Sequence, residues 1–414
     1  MRVEKFQLTR GASASELATE IRALAPPPQD VREAVAEIMD DVRRRGDAAL
    51  RDWSKRFDGE EPRSVSGDEL RAALESLDAA VRTGLETAIA NVGRVAEAEP
   101  YEPVQIQLKQ GQEVQLRELP LSRAGIYAPG GRAAYPSTVV MCSVPARVAG
   151  VDHLTVVTPG GDVVLAACAL CEVDEVHLAG GAQAIAALAY GTETIDPVDV
   201  IVGPGNAYVQ EAKRQVFGTV GIDGIAGPSE LVVIADEDTD PALVALDVAA
   251  QSEHGDETLL ALISPSERLL ERVEQEAVLI SRRSATVSDA VLALVLAEDL
   301  EASAGLAGEI APEHLELALD DAQRLVPLVR AAGCVFCGPN GGAAFGDYVA
   351  GSNHVLPTGG AARFGGPLGA STFRRRQALV SLPDGAVQRL APHVDAVAQA
   401  EGFPVHGESA EART

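Results

Sequence analysis

From about residue 104 onward, short runs rich in β-branched residues alternate with Ala-rich stretches of helical length, and this alternation limits the fold more than any other feature of the chain. Strand-like runs at 105–108, 114–116, 123–127, 154–158, 175–178, 198–202 and 231–235 are separated, from residue 138 on, by helix-like runs at 138–148, 163–171, 182–190 and 207–217. A helix between two strands carries the chain back across the sheet, so the pattern predicts parallel strands covered by helices on both faces. A second series follows, with helix 241–254, strand 259–263, helices 266–281 and 289–296, and strand 334–336. Two α/β units of similar size point to an internal duplication, although no clean sequence repeat is visible. The first hundred residues instead carry helical periodicity at 13–24, 30–57 and 66–99, with Pro26-Pro27-Pro28 as a stiff break. One more helix, 385–400, precedes a polar tail.

Composition narrows the function classes. At 414 residues and 46% apolar content the chain suits two or three folded domains. A formal charge of −27 repels polyanions, which argues against nucleic acid and anionic membrane surfaces as partners. Lysine occurs only at Lys5, Lys55, Lys109 and Lys213, while acids are spread along nearly every expected helix, a surface suited to a salt-rich cytoplasm or simply that of an acidic protein in an ordinary one. Residues 1–10 lack an apolar signal core and the longest apolar run, 290–297, is too short to cross a bilayer, so a cytoplasmic location is expected. Five cysteines, an odd number, are expected to be reduced thiols. Cys168 and Cys171 would share one face of a helix, whereas Cys334 and Cys337 in a strand would point to opposite faces, so neither CxxC is a chelating pair and both are expected to pack.

Gly-rich turns close several of the strands, at 127–131, 158–161, 179–183 and 202–208. Such turns let bare backbone N–H groups approach phosphates at the C-terminal edge of an open α/β sheet. No strict GxGxxG occurs there, and glycine is equally at home in any tight βα turn. Gln183 and Asn206, two amides at the same edge, tip the reading toward a nucleotide, with Tyr127 able to add an aromatic contact.

The polar motifs point to proton transfer and metal binding. Glu-His occurs twice, at Glu253-His254 and Glu313-His314. Helix 241–254 ends in Gln251-Ser252-Glu253-His254, with Gly255 as its expected cap. Residues 251 and 254 are three apart and emerge on one face, a spacing suited to two ligands of one metal, although a solvated helix end accounts for the residues as well. Asp347 lies in a Gly-rich stretch that continues to His354. Carboxylate and imidazole suit zinc, and the absence of thiolates from these clusters favours an open catalytic site over a closed structural one. Glu313-His314 supplies one group to activate water and one to take a hydroxyl proton, or else a surface turn after Pro312.

Taken together, Gly203-Pro204-Gly205-Asn206, Ala226-Gly227-Pro228-Ser229-Glu230, Gln251-Ser252-Glu253-His254-Gly255, Ala311-Pro312-Glu313-His314-Leu315 and the run from Gly346-Asp347-Tyr348 to Gly351-Ser352-Asn353-His354 resemble the histidinol dehydrogenase family, in the same order. Glu401 and His406 extend the likeness nearly to the end of the chain. The resemblance implies zinc held by Gln251, His254, Asp347 and His406, with L-histidinol bound there as substrate. It implies substrate contacts from Ser229, His314, His354 and Glu401, and NAD contacts from Tyr127, Gln183 and Asn206. His314 would remove the hydroxyl proton and Glu313 would activate water, in two successive hydride transfers to NAD that lead through a bound aldehyde to L-histidine.

The implied fold is α/β, with two incomplete Rossmann-like domains and helical N- and C-terminal extensions. Residues 1–25 would be the first extension, 26–126 with 231–368 one domain, 127–230 the NAD-binding domain, and 369–414 a C-terminal extension reaching the partner in a homodimer with shared active sites. The short polar run after His406 departs from relatives that continue with apolar residues, which bears on how that tail is anchored. Two other readings share these features: a zinc- and NAD-dependent dehydrogenase of another amino alcohol, and a non-catalytic nucleotide-binding α/β protein.

Overall fold

The computed structural model describes every residue except 27–29, 100 and 131–133; most of the Pro26–Pro28 break and Gly131 of the first glycine turn therefore lie outside the described residues. Strand β1 (Arg2–Leu8) opens the chain, followed by helices α1 (Ala14–Arg22), α2 (Arg32–Arg45), α3 (Asp47–Phe57), strand β2 (Arg63–Ser64), α4 (Gly67–Ser76) and α5 (Ala79–Glu97). Two strands, β3 (Val104–Gln107) and β4 (Glu113–Pro120), lead into the first α/β series: β5 (Arg123–Tyr127), α6 (Pro136–Ala149), β6 (His153–Thr158), α7 (Asp162–Leu170), β7 (Glu175–Leu178), α8 (Gly181–Tyr190), β8 (Val200–Val202), α9 (Ala207–Val216) and β9 (Gly221–Ile222). The second series runs β10 (Glu230–Ile234), α10 (Pro241–Ser252), β11 (Leu259–Ser264), α11 (Glu267–Arg283), β12 (Val291–Ala297), α12 (Leu300–Ile310), β13 (His314–Leu317), β14 (Cys334–Cys337) and α13 (Ala343–Tyr348). The chain closes with β15 (Arg374–Ser381), α14 (Asp384–Glu401) and α15 (Pro404–Glu411).

The two series build two six-stranded sheets of the same design. One has the order β2-β7-β6-β5-β8-β9 and the other β1-β12-β11-β10-β13-β14. In each, five consecutive parallel strands take the order third, second, first, fourth, fifth, and a strand from earlier in the chain adds to the third. The duplication expected from the sequence is thus visible in topology. β1 joins its sheet parallel, β2 antiparallel. Central strands such as β11 are buried along their whole length, as parallel strands covered on both faces must be.

The structure differs from the sequence expectation in several places. Residues 289–296 read as a helix but supply β12, paired with β11 and β1. An unbroken apolar run of seven has no period to read, and its short length is that of a buried strand. The N-terminal segment is not a detached extension: β1 is the edge strand of the 230–337 sheet and α1 packs on α12. Residues 32–97 and 123–126, grouped by expectation with 231–368, pack elsewhere. Helices α2 and α3 lie on α8, α4 on α7 and α5 on α6, while β5 is a central strand of the 123–222 sheet. The C-terminal segment is not purely helical, since β15 pairs along β4 and β3 in a small antiparallel sheet. Cys168 and Cys171 are buried in the core as expected, but Cys334 is only partly covered and Cys337 is exposed, because β14 is an edge strand.

Candidate functional site

Two distinct places gather the residues singled out by sequence, and they lie on opposite edges of their sheets. At the C-terminal edge of the 123–222 sheet, a cavity of about 570 Å³ is lined by Tyr127, Gln183 and Asn206 together, with Gly130, Pro159 and the Gly180–Gly181 turn. All four expected glycine turns therefore converge here, the second, 158–161, through Pro159. Gly203 adopts φ +111°, and a Cβ there would meet the Tyr127 carbonyl oxygen at 2.3 Å, so only glycine permits this crossing. The turn is fixed from behind by Lys213, which is fully buried, donates to the Gly203 carbonyl at 3.0 Å and pairs with Asp223. Asp223 in turn accepts from the Gly203 N–H at 2.8 Å. Asn206 caps α9 with its side-chain oxygen, accepting from the N–H groups of Tyr208 and Val209 at 3.1 and 3.2 Å, which leaves the amide nitrogen for a ligand. The Tyr127 hydroxyl accepts from the Gly181 N–H at 3.1 Å, and buried Gln183 donates to Asp58 at 3.3 Å.

The second place lies at the N-terminal edge of the 230–337 sheet, where β10 and β13 begin with Glu230 and His314. Glu313 and His314 are buried, which rules out the surface-turn alternative for this pair. Glu313 and Glu230 clasp each other: the Glu313 carboxylate accepts from the Glu230 N–H at 2.8 Å, and the Glu230 carboxylate from the Glu313 N–H at 3.2 Å. Glu230 also pairs with Arg22 at 2.9 Å and accepts from the Gly359 N–H at 2.9 Å, so its charge is compensated on every side. The His314 ring stands between the Glu313 carboxylate at 3.6 Å and the Asp347 carboxylate at 3.3 Å, and stacks on Phe336. Burial opposes a charge on this imidazole, but the flanking carboxylates outweigh it and hold the ring well above the usual histidine range. Burial likewise pushes Asp347 up, and the His314 contact overrides it, keeping the carboxyl below its ordinary value.

His354 accepts or donates at two points: Nδ1 is 2.8 Å from the Asp347 carbonyl oxygen and Nε2 3.3 Å from the Thr138 hydroxyl on α6. Burial lowers its proton affinity. With Asn353 donating to the Met141 carbonyl at 2.7 Å, and Asn91 to that of Val349 at 2.7 Å, the 349–358 loop straps this cluster onto α5 and α6 of the other sheet. Ser229 precedes β10 beside Glu230, its carbonyl accepting from the Leu259 N–H at 3.0 Å.

Behind this row lies a pair absent from the sequence reading. Asp247 on α10 and Glu316 on β13 face each other, and Glu316 also accepts from the Ala343 N–H at 2.6 Å, at the start of α13. Burial, then the neighbouring carboxylate, pushes Glu316 up to about 8, and burial pushes Asp247 to about 6. Each of the three elements thereby tied together carries a residue of the front row: Gln251 on α10, His314 on β13 and Asp347 on α13. Glu230, Lys213 and Asp223 were also missed; only Glu230 had a signal, its place inside the Ala226–Glu230 motif.

The expected metal ligands are only partly assembled. Helix α10 ends at Ser252, so Gln251 is its last buried turn and His254 lies just beyond, exposed, its N–H on the Gln251 carbonyl at 3.3 Å. The Gln251 amide nitrogen is buried without a partner. Since amide oxygen and nitrogen are interchangeable in placement, this orphaned group can present an oxygen to a cation. His254 is near enough for its charge to act on Asp347. Amide oxygen, imidazole nitrogen and carboxylate oxygen together fit zinc. Among the described residues no three His, Cys, Asp or Glu side chains are grouped to hold a metal. Glu401 and His406 are exposed on α14 and α15, which pack chiefly on each other, and His406 lies against Phe403 with ring centroids 5.6 Å apart.

Comparison with known proteins converges on one family. The family model described as histidinol dehydrogenase matches residues 25–414. The chain is 43% identical over 407 residues to the histidinol dehydrogenase of Nitrosomonas europaea, covering 93% of each. It is 42% identical to that of Burkholderia pseudomallei, covering 100% of this chain and 97% of the relative. A crystal structure of histidinol dehydrogenase from Elizabethkingia anophelis matches with a TM-score of 0.90 at 29% identity, covering 100% of this chain and 98% of that one. An α/β architecture shared along its whole length, and sequence relatives matched from end to end, show that the chain belongs to the histidinol dehydrogenase family.

Proposed function

We propose that the protein oxidises L-histidinol through bound L-histidinaldehyde to L-histidine, consuming two NAD, as the last step of histidine biosynthesis. The observation that carries this reading is His314, buried between two carboxylates beside the end of α10. When it enters the reaction neutral, an imidazole so placed can take a proton from a substrate hydroxyl, and Glu313 and Asp347 stabilise the imidazolium that forms. In the first oxidation the hydroxyl proton passes to His314 as a hydride leaves the carbinol carbon for NAD. Glu313, held by the Glu230 N–H, then removes a proton from the water that adds to the aldehyde, and the hydrate gives its hydride to a second NAD. One alcohol, one water and two NAD become one carboxylate, two NADH and three protons.

Gln251, His254 and Asp347 would hold zinc, with His406 supplied by a second copy of the chain. Zinc there would fix the imidazole and amine of the substrate and offset the charge of the acidic cluster. Ser229, His354 and Glu401 would contact substrate, and Tyr127, Gln183 and Asn206 would contact NAD. The exposure of α14 and α15, with Phe403 and Val405 uncovered, supports a tail that docks on a partner in a homodimer. Among the described residues no helix is long and apolar enough to cross a membrane; with the free thiols, this supports the cytoplasm as the working compartment.

The test is turnover of L-histidinol with zinc and NAD, which should yield NADH and L-histidine in a two-to-one ratio. No turnover at any salt concentration overturns the reading. Glu313→Gln should spare alcohol oxidation and slow aldehyde oxidation by about a hundredfold, and equal loss of both steps contradicts the division of roles.

A further inference from the structure

The cavity at the C-terminal edge of the 123–222 sheet has a strongly one-sided chemistry. Besides Tyr127, Gln183 and Asn206, its wall carries Asp58, Glu60 and Glu61, from the end of α3 and the turn after it. Glu61 is compensated by Lys55 at 2.6 Å and by Arg51 at 3.8 Å. Among the described residues, Asp58 and Glu60 have no ion-pair partner. Asp58 is also held in place: its N–H is bonded to the Ser54 carbonyl at 2.7 Å, and its carboxylate accepts from the buried Gln183 amide at 3.3 Å. It sits against the Gly180–Gly181 turn, where a Cβ on Gly180 would come within 3.3 Å of its Oδ1. An aimed carboxylate with no ion-pair partner among the described residues, in a cavity for an anionic dinucleotide, calls for a ligand group that donates hydrogen bonds.

No residue lining this cavity comes from the 230–358 region that holds His314. The reacting end of the cofactor must reach that region, so the cavity takes the other end, the adenosine half, and its volume suits a group of that size. Resting on the assignment of this cavity to NAD, we infer that Asp58 accepts hydrogen bonds from the adenosine ribose hydroxyls and excludes the 2′-phosphate of NADP. A ribose diol offers two donors to one carboxylate, and a 2′-phosphate replaces a donor with two negative charges at the same point. Glu60 adds to that repulsion, whereas Glu61 is neutralised by its own cations. The anionic pyrophosphate lies instead toward the N-terminus of α9 at the Gly203–Asn206 turn, where Asn206 already caps the helix.

The experiment compares Asp58→Ser and Asp58→Asn with the parent holoenzyme, measuring kcat and KM for NAD and for NADP with L-histidinol. Binding of ADP-ribose and of 2′-phospho-ADP-ribose is measured alongside. The ratio of kcat/KM for NADP over NAD should rise at least about tenfold in both variants, through KM, with the order of the two probe ligands shifting in parallel. A merely structural role for Asp58 would lower both cofactors together and leave the ratio unmoved, which overturns the inference. Asn206→Ala serves as the control on the cavity itself. If it raises KM for NAD while the Asp58 ratio stays fixed, only the role of Asp58 falls. If neither position alters NAD or ADP-ribose binding, the assignment of the cavity falls with it.

Discussion

The two sheets share a strand order, yet their candidate sites occupy opposite edges and are built from different materials. The 123–222 sheet gathers its cavity at the C-terminal ends of the strands, where open α/β sheets usually bind ligands, and builds it from glycine turns and amides with a few carboxylates at its wall. The 230–337 sheet places Glu230 and His314 at the N-terminal ends of β10 and β13, beside the C-terminus of α10, and fills the site with buried charge. Backbone N–H groups suffice to hold an anion, so a site of turns can be read from the fold rule alone. Proton transfer needs side chains whose affinities are shifted, and the N-terminal edge supplies them where no fold rule points.

The largest expected effect tests this division directly. His314→Ala should lower kcat for L-histidinol oxidation by about 10²- to 10⁴-fold, while NAD binding, measured by fluorescence quenching or calorimetry, stays within about twofold of the parent. A matching loss of NAD affinity would join the two sites into one. Lys213→Met should act in the opposite sense. It leaves Asp223 buried without its cation and frees the Gly203 turn, costing about 3 kcal/mol in urea unfolding and weakening NAD before it touches the chemistry. An unchanged unfolding midpoint would show that the turn needs no charged support.

How much of this was legible in the sequence follows the same line. The series from β5 to β9 was readable because each strand is short, β-branched and closed by glycine. Gln183, Asn206 and Tyr127 were placed on one edge by that reading, and they do line one cavity. The 230–337 sheet was harder. β12 lacks any period, β1 is separated from its partner by most of the chain, and β13 was hidden because Glu313-His314 looked equally like a turn after Pro312. The clasp between Glu230 and Glu313, and the pairing of Asp247 with Glu316, join residues far apart in sequence, so no spacing rule could reach them. Motif order located His314 and Asp347; only three-dimensional structure showed what compensates them.

That hidden carboxyl pair gives a pH test. Glu316 and Asp247 hold protons in the folded protein that an unfolded chain, with carboxyls near pH 4.3, has already released. The stabilisation is therefore fully present below about pH 4, declines as pH rises, and is gone once pH passes about 8, where Glu316 ionises against Asp247. Asp347 reinforces that repulsion and His314 offsets part of it. The parent should lose up to about 1.4 kcal/mol per pH unit between pH 6 and 8 from this pair. Glu316→Gln, which keeps the shape and an acceptor for the Ala343 N–H, should flatten urea-unfolding stability over that window. Parallel curves for variant and parent would remove the pair from the account.

The smallest effect probes the cavity of the other sheet. Among the described residues the Tyr127 hydroxyl has one partner, the Gly181 N–H that opens α8, and the ring itself is buried. Tyr127→Phe keeps the ring and removes the oxygen, so the fold should hold and the cost should be that of one hydrogen bond, about 1 kcal/mol. Because Gly181 lines the cavity, a bound ligand can satisfy part of what the hydroxyl leaves, and KM for NAD should rise no more than about fivefold with kcat nearly unchanged. A cavity built from backbone turns tolerates the loss of one side-chain oxygen, since the remaining N–H groups stay where the chain holds them. A fall in kcat of tenfold or more would instead make the Tyr127 hydroxyl part of the chemistry and dissolve the distinction between an edge that binds and an edge that reacts.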